Sequence, residues 1–287
     1  MSWPPCPICG GTTRHSVAGT VDAADYFRTQ GYRIANHDTV TLDVLRCQRC
    51  RHGWSPVADT VDIEAWYASA PPDTAYLAES QGRRRAAIGV LRAIEKYRKP
   101  GMLLDVGCGP GLLLAEARKR GWSVAGVEPS AWAITAAGKL GVAAAVTRAT
   151  VDALSAVPPG SADAITLIDV IEHVRHPHAL IRNCAAILKH GGVLAIATPN
   201  IGSAVARILG KRWYCIHPAH LHYFTLASLS QLVTQHGFRV VHAGQYLRWF
   251  SPEYVLARFA KRPFTVGRLP PLPIPLFDAL QLLAVRE

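Results

Sequence analysis

The stretch Leu-Leu-Asp-Val-Gly-Cys-Gly-Pro-Gly, residues Leu103–Gly111, restricts the folds open to this chain more than any other. An apolar run to Val106 reads as a strand. Glycines follow at alternate positions, Gly107, Gly109 and Gly111, and a helical pattern runs from Leu112 to Arg120. Glycine adopts left-handed dihedrals without steric cost and lets backbone approach a ligand closely. A helix that starts right after such a turn aims its unpaired N–H groups at whatever sits there. Strand, glycine turn and helix in this order make half of a βαβ unit, so the chain is expected to be an α/β protein.

The alternation continues. Strand patterns at Ser123–Val127, Ala143–Val146, Ala164–Ile168 and Val193–Ala197 are separated by helical patterns at Ala131–Leu140 and around His178–Leu188. Such an order predicts a doubly wound, mostly parallel sheet with helices on both faces, and a ligand beyond the carboxyl ends of its strands. Glu128 ends the second strand, where a carboxylate can accept hydrogen bonds from both hydroxyls of a ribose. A dinucleotide fingerprint needs G-x-G-x-x-G, whereas this loop is G-x-G-x-G with Leu112 at the third glycine's place, so pyrophosphate is not the expected guest.

With Asp105, Gly107, Gly109 and Gly111 in the pattern (D/E)-x-G-x-G-x-G, the core resembles the class I S-adenosylmethionine (SAM)-dependent methyltransferases. The similarity extends through "SADAITLIDVIEHVRHP", "ILKHGGVLAIATPN" and "HGFRVV". It implies a Rossmann-like seven-stranded sheet. It also implies that the loop, including Cys108, passes beside the cofactor, that Glu128 holds the ribose, and that Asp169 lies near the methionine end. The chain departs from the family at the adenine: Thr150 stands where many relatives carry an acid, so backbone at Thr150–Val151 is the expected contact there.

Glu172-His173 resembles the Glu-His pair of the ubiquinone-type and sugar O-methyltransferases, which makes Glu172 and His173 candidates for the acceptor side. His222 is a third candidate, from "YCIHPAHLHYFT", where His220 and His222 would share a face of a strand. For each of the three, plain packing is a competing reading, and for the histidines of 217–222 a metal site competes as well. Arg83–Arg85, on a helix spanning Gln81–Arg98, reads as a solvated face.

Ahead of this core, Cys6 and Cys9 are answered after 37 residues by Cys47 and Cys50. Two CxxC pairs can close a tetrahedron of thiolates around one Zn²⁺, and four cysteines leave no open position, so a structural ion in a zinc-ribbon-like module is expected. Gly10 and Gly53 would relax the backbone beyond each pair. Seven cysteines, an odd number, with this spacing suit a reducing compartment better than a disulfide framework. Without a long apolar run or a signal-peptide pattern, a cytoplasmic protein is expected.

These readings divide the chain into a zinc module (1–58), a helical linker (59–100) and a methyltransferase domain (101–287). The formal charge of +11 comes from the chain beyond residue 80, where 25 Lys/Arg face 11 Asp/Glu, whereas residues 1–80 carry 6 Arg against 9 Asp/Glu. A basic surface alone selects no partner. No aromatic-rich RNA-binding module is evident, so nucleic acid is not the expected acceptor; a small-molecule, glycan or lipid-linked one is, methylated at oxygen. RNA methylation and a non-catalytic, partner-binding role are the alternatives. The basic, proline-rich segment 253–275 can contact a membrane surface, cover the pocket, or cross over packed on the sheet.

Overall fold

A computed structural model describes residues 3–20, 42–56, 63–69, 71–72, 74–253, 270–274 and 277–287. Within them the strands β1 (Thr13–Val17), β2 (Val44–Cys47) and β3 (Gly53–Trp54) precede helices α1 (Ile63–Ala68), α2 (Thr74–Ala78) and α3 (Ser80–Ile94). The alternating part follows as β4 (Met102–Val106), α4 (Leu112–Lys119), β5 (Ser123–Glu128), α5 (Ala131–Gly138), β6 (Val146–Arg148), β7 (Ala162–Ile168), α6 (Pro177–Ile187) and β8 (Leu188–Pro199). Then come α7 (Ala204–Leu209), β9 (His222–Tyr223), α8 (Leu226–Thr234), β10 (Phe238–Gln245), β11 (Arg248–Phe250), β12 (Leu272–Ile274) and β13 (Ala279–Arg286).

Seven strands form the central sheet in the order β10-β13-β8-β7-β4-β5-β6. The pairs from β8 through β6 are parallel, and β13 enters antiparallel between β8 and β10. From β4 the chain winds first toward β6 and then back through β7 and β8, so strand order reverses beside β4, where doubly wound sheets bind ligands. The expected strand at Ala143–Val146 falls slightly later: Ala143–Ala145 form a single 3₁₀ turn and the strand begins at Val146.

Because successive residues of a strand face opposite ways, the two faces can be read directly. Leu194 and Ile196 of β8, with Ile165 and Leu167 of β7, pack with Leu180 and Leu229 from α6 and α8. Ala195 and Ala197 of β8, with Ala164 of β7, lie with Val90, Leu91 and Leu114 from α3 and α4. Small residues on the second face let those helices sit close to the sheet.

The N-terminal module is joined to the core by more than covalent linkage. Its strands form a second sheet, β1-β2-β3-β9, whose last member comes from the core chain. Gly53 pairs with Tyr223 and Trp54 with His222. A boundary at residue 58 lies outside the described residues, and the pairing with β9 crosses it.

Most of segment 253–275 also lies outside the described residues, but its flanks pair with each other as β11 and β12. This hairpin is seated on α3, where a side chain at Gly82 would run into the Trp249 carbonyl. The Arg85 guanidinium donates to the Pro271 carbonyl at 2.6 Å, and the Glu79 carboxylate accepts from Ser251 N at 3.0 Å. The three readings of the segment fall on residues that, apart from these flanks, lie outside the described ones. No helix among the described residues is long and apolar enough to cross a membrane.

Candidate active site and metal centre

The glycine loop leaves β4 and returns immediately to the sheet edge: Gly107 N donates to the Val127 carbonyl at 2.8 Å. All three loop glycines have positive φ, +67° at Gly107, +51° at Gly109 and +75° at Gly111. A Cβ at Gly107 would lie 2.6 Å from Val170, and one at Gly111 the same distance from Val142. Substitution there is blocked by conformation and by space together. Cys108 points inward, and Gly126 must lack a side chain because a Cβ would stand 2.7 Å from the Cys108 sulfur.

Asp105 is buried and accepts from Thr166 Oγ1 at 2.6 Å. Burial, reinforced by Glu128, pushes its carboxyl up to about 7. Glu128 receives Gly109 N on one oxygen and Ser130 N on the other, each at 2.9 Å. A carboxylate offers about four acceptor positions, so roughly two remain for hydroxyl donors.

Two residues that sequence reasoning missed stand against this loop. The Tyr76 hydroxyl, on α2, would be 3.3 Å from a Cβ on Gly109. The Arg83 guanidinium lies 3.7 Å from the centroid of the Tyr76 ring, its Nε enclosed without a hydrogen-bond partner, and it has no acidic ion-pair partner among the described residues. As a run, "RRR" reads as a solvated face. Arg83 corrects that reading: α3 turns it inward, because its neighbours Ala86, Ala87 and Val90 fix the buried stripe. Asp169 supplies part of its counter-charge and helps keep it protonated, and the unpartnered Nε leaves it able to bind an anionic ligand group.

Beyond β7 the chain makes the tight turn that begins at Asp169, whose φ is +53°. Arg248 of β11 donates to its carboxylate at 2.9 Å. Val170 touches the glycine loop, and His173 N donates to the Val170 carbonyl, so Glu172 and His173 are carried close to the cofactor loop. Glu172 is buried. One oxygen accepts from Thr198 Oγ1 at 2.9 Å and the other has no hydrogen-bond partner among the described residues. Burial, with the Asp169 charge second, raises its carboxyl to about 8.

His173 Nδ1 donates to the Ala219 carbonyl at 2.7 Å and His220 Nδ1 to the Cys215 carbonyl at 2.8 Å. A carbonyl only accepts, so both rings keep their lone pair on Nε2. Burial lowers both histidines' pKa values, which keeps them neutral at pH 7. Ligand atoms of Glu172, His173 and His220 lie within 4.8 Å of one another, a set able to hold either a proton or a cation.

His222, the third catalytic candidate, does not join this group. His220 and His222 do not share a face: His220 stacks edge-on to His173 at 4.7 Å, whereas His222 stacks on His52 at 5.3 Å and is 2% exposed. Pairing of β9 with β3 turns its ring into the seam between module and core. Thr150 leads into the 3₁₀ turn Val151–Ala156 and, with Val151 and Asp152, lines a cavity of about 410 Å³.

At the opposite end, the four sulfurs of Cys6, Cys9, Cys47 and Cys50 lie within 4.8 Å of one another, with Cys6–Cys50 at 3.6 Å and Cys9–Cys47 at 3.5 Å. Zn–S bonds of ~2.3 Å in a tetrahedron require S···S edges of about 3.8 Å. Arg49 N and Cys50 N both point at the Cys47 sulfur, at 3.3 and 3.4 Å. Gly10 has the expected positive φ, but in the second turn that conformation belongs to Arg51, at +63°. Gly53 is needed instead for contact with Tyr223, and Gly11 because a Cβ there would press on Cys9 and Cys47.

Residues 76–243 match the family model of a methyltransferase domain. The chain belongs to this methyltransferase family. A ubiquinone biosynthesis O-methyltransferase of Caulobacter vibrioides is 37% identical to this methyltransferase over 102 residues, which are 34% of this chain and 40% of the relative. The match thus spans about two fifths of the length of the curated relatives. A SAM-dependent methyltransferase from Thermotoga maritima superposes with a TM-score of 0.52 at 20% identity, over 71% of this chain and 91% of that one. One from Archaeoglobus fulgidus gives 0.52 at 19%, over 75% and 100%. At such identities the likeness is one of fold.

Proposed function

We propose that this methyltransferase transfers the methyl group of SAM to a hydroxyl of a small-molecule acceptor, free or carried on a glycan or lipid. The observation that carries this reading is the joining of two half-sites by Val170. On one side are the glycine loop, Glu128 and Arg83 with its unpartnered Nε; on the other are Glu172, His173 and His220.

In this reading Glu128 accepts from the ribose hydroxyls and Gly107, Gly109 and Gly111 admit the cofactor against the backbone. Arg83 pairs with its carboxylate, and Asp169 and Cys108 line the methionine portion. The backbone at Thr150–Val151 faces the adenine. Bound SAM supplies an electrophilic methyl on a sulfonium. Transfer to an acceptor hydroxyl would leave S-adenosylhomocysteine, and this chain's residues would have to take up the hydroxyl proton. Nε2 of His173 or His220 takes it, with Glu172 as the terminal store. The four cysteines hold one structural zinc ion.

Calorimetry tests the cofactor half: micromolar binding of SAM and S-adenosylhomocysteine is expected, with no binding of NAD. Binding of NAD alone would overturn the reading. The acceptor half has a pH signature. Glu172 holds its proton until the pH passes about 8, and only the deprotonated form can serve as store. Methyl transfer to a catechol probe is therefore expected to rise through that pH and level off above it, and Glu172→Gln should flatten the rise. A profile centred near 6 would remove Glu172 from the proton path.

A further inference from the structure

The cysteine module reaches the candidate acceptor site through an unbroken series of contacts. Cys47 N donates to the His52 carbonyl at 2.8 Å, closing the second cysteine turn. The Cys50 carbonyl accepts from Thr225 Oγ1 at 3.1 Å. His52, fully buried, shares a hydrogen bond of 3.1 Å between its Nε2 and Nδ1 of His222, and both rings lie against Phe224. Ser55 N donates to the Leu221 carbonyl at 2.9 Å. On the far side of the same strand, Leu221 N and His222 N both donate to the Glu172 carbonyl, at 2.8 and 3.0 Å.

Segment 215–222 therefore lies between two supports. It carries His220 and supplies both carbonyls, from Cys215 and Ala219, that set the histidine tautomers. One support is the Glu172 main chain and the other is the metal-binding turn. The first cysteine turn is fastened independently, since His178 Nε2 donates to the Pro7 carbonyl at 3.0 Å.

We infer that the four-cysteine module braces the acceptor wall of the active site, and that His222 is the positioning residue through which the metal-binding turn holds Glu172, His173 and His220 in place. The inference rests on the acceptor-side reading of those three residues. It gives the module a task inside its own chain: binding at the cysteines fixes side chains in the loops beyond β7 and ahead of β9. Groups held by such outer supports depend on them for orientation.

The test uses the full-length, metal-loaded chain and its His222→Phe variant. Phenylalanine keeps the aromatic stack on His52 and loses the hydrogen bond; His222→Asn restores a polar atom at the Nδ1 position. The expected result is metal content near one ion per chain and SAM affinity within about twofold of wild type. At the same time the ¹⁵N ring signals of His173 and His220 should shift or broaden, with partial recovery in His222→Asn. Stripping the metal with a chelator should perturb the same two signals. Unchanged ring signals in His222→Phe or after chelation would overturn the brace, as would a tenfold loss of SAM affinity, which would mark general damage. If wild type fails to bind SAM, the function proposed above falls, while the ring signals still decide the brace.

Discussion

Cys6→Ser combined with Cys9→Ser is expected to release about one zinc ion per chain and to lower the stability of the core together with that of the module. Structural zinc sites contribute ~10–16 kcal/mol of apparent binding energy in small domains, against a net stability of ~5–15 kcal/mol for a typical domain. If the cysteines hold zinc as proposed, the module is not expected to keep its shape without it. Its loss also strips β3 from β9 and uncovers Trp54, Phe224 and the His52–His222 pair. A single thermal transition at lower temperature, read together with metal analysis, is the expected outcome. Two separate transitions, the second unchanged from wild type, would show that module and core are energetically independent; metal-free wild type would refute the zinc site itself.

Glu128→Ala should weaken SAM binding about a hundredfold. Hydrogen bonds to a charged acceptor contribute ~1.5–3 kcal/mol each, and ~1.4 kcal/mol is a factor of ten in affinity. Losing the ribose contacts alone would account for that factor. The variant also leaves Gly109 N and Ser130 N without their acceptor, so the loop that receives the cofactor loosens at the same time. Calorimetric titration with S-adenosylhomocysteine reads the effect without turnover. Unchanged affinity would mean that Glu128 serves only to tie the loop to β5 and that the ribose lies elsewhere.

The parts of the fold legible in the sequence were those governed by local pattern. Leu103–Val106 and the glycines behind it announce strand, turn and helix because each depends on residues a few positions apart, and the alternation of large and small residues in β7 and β8 separates their two faces. The cysteine quartet was legible for the same reason, since each CxxC turn is local. What escaped depended on contacts between distant segments. Nothing in "RRR" distinguishes Arg83 from Arg84: the first lies over Tyr76, while the second lies 3.6 Å from Glu116. Alternation put His220 and His222 on one face. The chain enters the strand only at His222, and β3 then claims that ring. Arg248 carried no local signal at all, since its place beside Asp169 exists only after β11 has paired with β12 and docked on α3. Tyr76 is the exception that could have been found, as an aromatic residue just ahead of an amphipathic helix that precedes the first strand of the core.

The shared strand has a consequence in time. His52 and His222 are 170 residues apart in the chain. At ~5–20 residues added per second, roughly 10–30 s separate their appearance at the ribosome. The cysteine turns can take up their ion early, yet β3 has no neighbour on its open edge until His222 and Tyr223 arrive. During that interval Trp54 and the exposed edge must be shielded by other means, and the last step in completing the cysteine module belongs to a segment made well after it.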